Sequence, residues 1–326
     1  MLSDDMTSEQ EPDAGLIQHI VQVHTGGRAG LPVDCSPGFS GSFVYAVDVA
    51  LPDGPKDCIV KFVPDWPDAE DVTNRVYGSR AASYRAAYDL LRQHGVLLPH
   101  LYAALAPQPG LPFYCFVMER LAGEEVQTVR SHLGGAERRQ LDALIGRHLG
   151  AIHRITRAYD GWADLPAPHA VPWRAAFFAA LSTILDRACV HSSIVQRRPQ
   201  LVRTFAQYAA AWVDPVHFVL SHGDGLQGML VRGSDGWGLA GVIDIEDHLF
   251  TDQRFALSVY EMGLGDAPVS DIFWVAYRQQ ASLDETYWQF RPLFQLYALL
   301  DWLGNVALAD AEDVEHLTQE IDQRCR

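Results

Sequence analysis

The stretch FVLSHGDGLQGMLVRGSDGWGLAGVIDIEDHLFTD, residues 218–252, decides the reading of this chain. Phe218 to Ser221 is an apolar run that reads as a strand and delivers His222-Gly223-Asp224. Met229 to Arg232 and Leu239 to Ile245 read as two more strands, joined by a Gly-Ser-Asp-Gly turn. A hairpin of this size returns the chain to its start, so Asp224 and Asp244, 20 residues apart, are expected at one end of it. Two carboxylates so placed suit phosphoryl transfer: one accepts the proton of an attacking hydroxyl, the other holds the Mg²⁺ that neutralises a triphosphate. The plainer alternative is a pair of turn aspartates beside an ordinary hairpin.

Upstream residues weigh against that alternative. Lys61 stands mid-strand in Cys58-Ile59-Val60-Lys61-Phe62-Val63. An ammonium among apolar neighbours is costly unless it is paired or reaches water. Gly38-Phe39-Ser40-Gly41-Ser42-Phe43 precedes it by about 20 residues. Small residues there let backbone N–H groups approach a phosphate, although the full GxGxxG pattern is absent.

The surrounding pattern divides the chain. Gly15 to His24 carries an apolar helical face, Phe43 to Leu51 reads as a strand, and Arg75 to Gln93 reads as one long helix stopping at Gly95. Strands are expected at Leu101 to Ala106 and Tyr114 to Met118. Beyond Gly123 the pattern turns helical, at Arg138 to Ile155, Trp173 to Ala188, Leu201 to Trp212 and from Phe255 onward. Strands first and helices later, with one β interlude, predict two lobes.

With these residues in view, the chain resembles the aminoglycoside phosphotransferase family of the protein-kinase-like superfamily. His222-Gly223-Asp224 is similar to its catalytic-loop signature, Val242-Ile243-Asp244 to its metal-binding strand end, and Thr251-Asp252 to a later element. The resemblance implies an α+β, protein-kinase-like two-lobed fold. The N-lobe would be a small antiparallel sheet with one long helix, and the C-lobe larger, mainly helical, with a catalytic β-hairpin. The expected division is a tail over 1–13, a nucleotide-binding lobe over 14–118, a hinge over 119–123 and a catalytic, substrate-binding lobe over 124–326. It further implies Asp224 as catalytic base in a loop that includes His222, and Asp244 as the main Mg²⁺ ligand. Lys61 would hold the nucleotide phosphates, with Gly38, Ser40, Gly41 and Ser42 beside them. Met118, Glu119 and Leu121 would meet the base of ATP, with GTP left open. His153 and Trp173-Arg174 match common family positions and read as packing residues.

Two positions depart from the family pattern. The catalytic-loop Asn falls on Met229, and a thioether is a poor ligand for a hard cation. Gln227 and Glu246 are the nearest oxygen donors, and Glu246, two residues past Asp244, is the favoured one. The helix glutamate that pairs with the strand lysine falls near Tyr84, and Arg75 to Gln93 contains no Glu. Glu70, Asp71 or a phosphate is the expected partner of Lys61.

Composition bounds the partners. The 326 residues carry a net charge of -16, which opposes nucleic acid and anionic membranes and suits a cationic acceptor. Five scattered cysteines without a CxxC pair argue against a disulfide framework or a zinc site. A polar, acidic start and the lack of an apolar run of about 18 residues predict a cytoplasmic protein. Asp247, Glu261, Asp266 and Asp301 are the acids expected at the acceptor, an aminoglycoside- or aminocyclitol-like molecule phosphorylated for antibiotic resistance or natural-product biosynthesis. Another small alcohol, a peptide hydroxyl, or a catalytically impaired binding module remain as alternatives.

Overall fold

The first helix opens where the sequence supplies both a cap and a stripe. The Asp13 carboxylate accepts the Leu16 N–H at 2.8 Å, and Leu16, Ile17, Ile20 and Val21 bury one face of α1 (Ala14–Thr25). The computed structural model describes residues 11–35, 42–52, 54–64, 72–76, 80–222, 228–233, 236–263, 268–305 and 311–325. After α1 come β1 (Arg28–Ala29), β2 (Val33–Asp34), β3 (Phe43–Leu51) and β4 (Gly54–Pro64). Then follow α2 (Val72–Val76), α3 (Tyr84–Gln93), β5 (Leu101–Leu105), β6 (Phe113–Glu119) and β7 (Glu124–Glu125). The middle of the chain holds α4 (Val126–His132), α5 (Gly135–His153), β8 (Thr156–Arg157), β9 (Gly161–Trp162), α6 (Trp173–Ala188) and α7 (Ser192–Ala210). Next are β10 (Phe218–His222), β11 (Gly228–Gly233), β12 (Gly236–Val242) and β13 (His248–Thr251). Four helices end the chain: α8 (Gln253–Gly263), α9 (Asp271–Arg278), α10 (Tyr287–Asn305) and α11 (Ala311–Arg324).

The chain divides into two units. The first draws on 1–67, 80–125 and 228–246. Its main sheet is antiparallel in the order β1-β3-β4-β6-β5, with β2 also on β3. Alternation along β4 sends Val60 and Phe62 into a core with Val47, Val49, Phe113, Cys115 and Val117. Ile59 and Lys61 therefore share the opposite face. Across the ladder, Lys61 stands opposite Val44 on β3 and Phe116 on β6, and Ile59 opposite Met118. The β11–β12 hairpin, read above as part of the C-terminal lobe, groups with this unit because β11 pairs with β7 and the Val242 N–H donates to the Leu97 carbonyl at 2.9 Å.

The single long helix expected over Arg75 to Gln93 is two helices. Val72–Val76 forms α2 in the second unit, and α3 begins only at Tyr84, after a 3₁₀ turn over Ala81–Ser83. Arg80 is extended (φ -141°, ψ 98°) and its N–H is bonded to the Glu246 carbonyl at 3.0 Å, so no helical ladder runs through it.

The second unit draws on 68–79, 126–227 and 247–326 and is mostly helical. Its sheet has the order β8-β10-β13-β9, so β10 pairs with β13, a strand that sequence reading left out, and not with the hairpin. Glycines bring α5 against α9: a Cβ at Gly146 would lie 2.4 Å from the Phe273 carbonyl oxygen, and one at Gly150 would lie 2.8 Å from that of Tyr277. Asp252 is buried and grips the guanidinium of Arg254, whose other donors reach Thr286 and the Val213 carbonyl. The later aspartate of the motif thus anchors α8. His153 and Trp173 are buried packing residues, as expected.

Candidate active site

In the first unit, Lys61 lies between two carboxylates. Its Nζ is 2.5 Å from Asp244 Oδ1 and contacts Glu246 Oε1. The side chains are 14%, 35% and 4% exposed respectively, so Asp244 faces solvent while Lys61 and Glu246 are enclosed. Burial alone would lower the lysine pKa, but Glu246 and Asp244 together raise it, and Lys61 is a fixed cation. Asp244 adopts the left-handed conformation (φ 54°), the one non-glycine among the described residues with a positive φ. Strain of this kind is retained where a side chain must be aimed.

These three residues form one end of a cavity of about 350 Å³. Val44, Ile59 and Ile243 give it apolar walls, Met118, Glu119, Arg120 and Leu121 its rim, and Cys35 and Glu125 complete the lining. The rim has a defined set of backbone groups. The Glu119 N–H donates to His100 and the Arg120 N–H to Asp57, at 2.8 and 2.9 Å, while the Leu121 N–H has no partner among the described residues. Gly241 leaves room for Leu121, since a Cβ there would lie 2.6 Å from Leu121 Cδ1. The cavity therefore offers apolar walls, one backbone donor near Leu121, and a cation flanked by two acids. A flat heterocycle joined to a polyphosphate has this distribution of polarity.

The lysine partner differs from the expected one. Glu70 and Asp71 lie outside the described residues, and the acid in contact is Glu246. Tyr84, the position near which the helix glutamate is expected, is buried with its ring centroid 3.9 Å from that of Phe116 and its hydroxyl 3.8 Å from Met118 Sδ. Burial first, then the Glu246 charge, holds that hydroxyl well above its ordinary pKa, so it is neutral.

The remaining expected residues fall as follows. Ser42 is half-buried just before β3, while Gly38, Ser40 and Gly41 lie outside the described residues. So do Asp224, Gln227 and Asp266. His222 is buried in the second unit at the end of β10, opposite His248 on β13, with ring centroids 4.7 Å apart. Asp247 ends the 3₁₀ turn Ile245–Asp247 and is half-buried. Glu261 lines a separate cavity of about 390 Å³ in the second unit, formed by α8, α10 and α11. Its carboxylate is already held by the Arg291 guanidinium at 2.5 Å and by the Tyr287 hydroxyl. Asp301 is buried in α10 and does not line that cavity, although its neighbour Trp302 does. Of Asp247, Glu261 and Asp301, Glu261 is the one that lines either of these two cavities.

Sequence reading missed the walls Val44, Ile59 and Ile243. The period-2 alternation about Lys61 identifies Ile59, whereas Val44 requires the β3–β4 register. It also missed Glu246 as the lysine's partner, for which the Asp-x-Glu spacing was the available signal.

A divalent cation is tested by the donors present. Asp244 and Glu246 supply hard carboxylate oxygens, and Glu246 Oε2 is buried without a hydrogen-bond partner. No group of three or more His, Cys, Asp or Glu residues is clustered for a metal among the described residues. Two carboxylates fit Mg²⁺, which keeps waters and shares substrate phosphates.

Residues 70–258 match the model of the phosphotransferase enzyme family. No curated protein is a significant sequence match. Among solved structures, a candidate fructosamine-3-kinase from Haemophilus somnus 129PT is 14% identical, with 95% of this chain and 97% of that one covered at a TM-score of 0.60. A thermostable mutant of the aminoglycoside phosphotransferase APH(4)-Ia is 12% identical over 95% and 98% of the two chains, also at 0.60. In a ternary complex that enzyme binds ADP and hygromycin B, at 13% identity over 95% and 98% of the chains and a TM-score of 0.59. The fold is thus kinase-like.

Proposed function

The chain belongs to the phosphotransferase enzyme family, and from that premise we propose that it transfers the γ-phosphoryl group of ATP to a hydroxyl of a small, cationic, aminocyclitol-like molecule. The observation that carries the reading is Lys61 held between Asp244 and Glu246 at one end of the 350 Å³ cavity. A fixed cation there binds the α- and β-phosphates. At the rim, the Leu121 N–H donates to a ring nitrogen of adenine, and Val44 and Ile59 cover its faces. The other rim donors are committed to His100 and Asp57, which makes Leu121 the point of attachment.

Asp244 and Glu246 Oε2 are the groups that would hold Mg²⁺. When bound, that ion neutralises charge on the β- and γ-phosphates. Asp224, assigned from the His222-Gly223-Asp224 motif, accepts the proton of the acceptor hydroxyl. The hydroxyl oxygen forms the new P–O bond, the bond to the bridging oxygen breaks, and ADP leaves with that electron pair. His222, packed on His248, fixes the strand end from which Asp224 follows. A net charge of -16 and the hygromycin B bound by the APH(4)-Ia relative support a cationic acceptor. No helix among the described residues is long and apolar enough to cross a membrane, in keeping with a cytoplasmic role in resistance or biosynthesis.

ADP release, measured with Mg²⁺ across a panel of aminocyclitols, aminoalcohols and sugar amines, tests the reading. Release that requires both Mg²⁺ and one acceptor class supports it. ADP release indifferent to every acceptor rejects the substrate class.

A further inference from the structure

We infer that Glu246 is the positioning residue that holds Lys61, in place of an acid on α3, and that Tyr84 fills the position such an acid would occupy. The inference rests on the phosphotransferase reading of the same cavity. The helix has nothing to offer the lysine: its only acid, Asp89, is exposed and paired with Arg85 at 2.9 Å, one turn away. Tyr84 is stacked on Phe116, the cross-strand neighbour of Lys61, and its hydroxyl points to Met118 Sδ. It closes that side of the lysine with a neutral ring.

Glu246 has the properties the task requires. Its carboxylate is enclosed and contacts Lys61 through Oε1. Its backbone is pinned by the Arg80 N–H at 3.0 Å, just before α3. A carboxylate this buried is destabilising without a cation, so each member of the pair needs the other. Exposure distinguishes the two acids: Asp244, a third exposed, faces solvent, whereas Glu246 is enclosed, with Oε1 on the ammonium and Oε2 buried without a hydrogen-bond partner. One residue thereby answers both departures from the family pattern, the absent helix glutamate and Met229 in place of the loop Asn. The lysine clamp is built from β4 and residues 244–246 and does not wait for a helix-borne side chain.

The test is a cycle of Lys61→Met, Glu246→Gln and both together, read in two ways. In urea with EDTA and no nucleotide, Glu246→Gln is expected to destabilise the wild-type chain. In the Lys61→Met chain, where Glu246 is left buried and unpaired, the same change is expected to be neutral or stabilising, a coupling of at least about 10-fold in the unfolding constant. Equal destabilisation in both backgrounds overturns the inference. For ATP turnover at saturating Mg²⁺, each single change is expected to lower kcat by about 30-fold or more, with the double within about threefold of Lys61→Met alone. Multiplicative losses overturn it. A wild-type chain that neither turns over ATP nor binds ADP removes the phosphotransferase reading instead, and the unfolding cycle still decides the pairing.

Discussion

Lys61 and Asp244 meet at 2.5 Å although 183 positions separate them in the chain. The contact fixes a cation at the end of the cavity, with its charge maintained by two acids rather than by solvent. Lys61→Met is expected to lower kcat/KM for ATP by roughly 10²–10³, the usual scale for losing one aligned charge donor. Near-ultraviolet circular dichroism should show the variant still folded. Turnover within about twofold of wild type would exclude a phosphate-binding role for the lysine.

Gly146 of α5 faces the Phe273 carbonyl of α9 with no room for a methyl group. Because the obstacle is backbone, a side-chain rotation cannot relieve it. Gly146→Ala should cost about 1–3 kcal/mol in urea unfolding by forcing the helices apart. Gly135→Ala, in the first turn of the same helix with nothing within 4 Å of the added atom, is the control and should not destabilise. Equal stability of the two variants would contradict the close packing.

His153 gives a pH signature. Its Nδ1 lies 2.8 Å from the Tyr277 hydroxyl, which itself accepts from Gln253 Nε2 and so donates its proton to the ring. The Gln253 orientation is set by the Asp284 N–H on its oxygen. Burial lowers the His153 pKa from 6.5 to about 3. The unfolded chain therefore binds this proton first, and acid favours unfolding. The contribution is full above about 6.5 and falls as pH drops toward 3, by about 1.4 kcal/mol per unit. His153→Gln keeps an acceptor for Tyr277 but cannot titrate. Its stability should fall less than wild type between pH 7 and 5, and parallel curves would contradict the assignment.

Much of this architecture is legible locally. Trp173–Ala188 was readable as a helix end to end because its apolar positions repeat at helical spacing, and β3 because it is rich in apolar and β-forming residues. The strand lysine stood out as a charge in an apolar setting, whereas the expectations for 118–121 and Asp244 came from the family resemblance and the hairpin spacing. What stayed hidden depends on distant partners. The break before α3 is made by a backbone bond from Arg80 to Glu246, which no local pattern announces. Strand β13 is four residues long and takes its identity from pairing with β10. Glu261 looked like a free acid because Arg291, which neutralises it, and Tyr287, whose hydroxyl donates to it, lie a helix away.

The most direct measurement of the central claim is single-turnover transfer of γ-³²P from labelled ATP to an acceptor hydroxyl, comparing wild type with Asp224→Ala in the presence of Mg²⁺. The account predicts labelled acceptor from the wild type, and a rate lowered by roughly 10²–10⁴ in the variant while ADP affinity stays within a few-fold. Equal transfer by the two chains would contradict it, because the proton would then leave the hydroxyl without the base on which the mechanism depends.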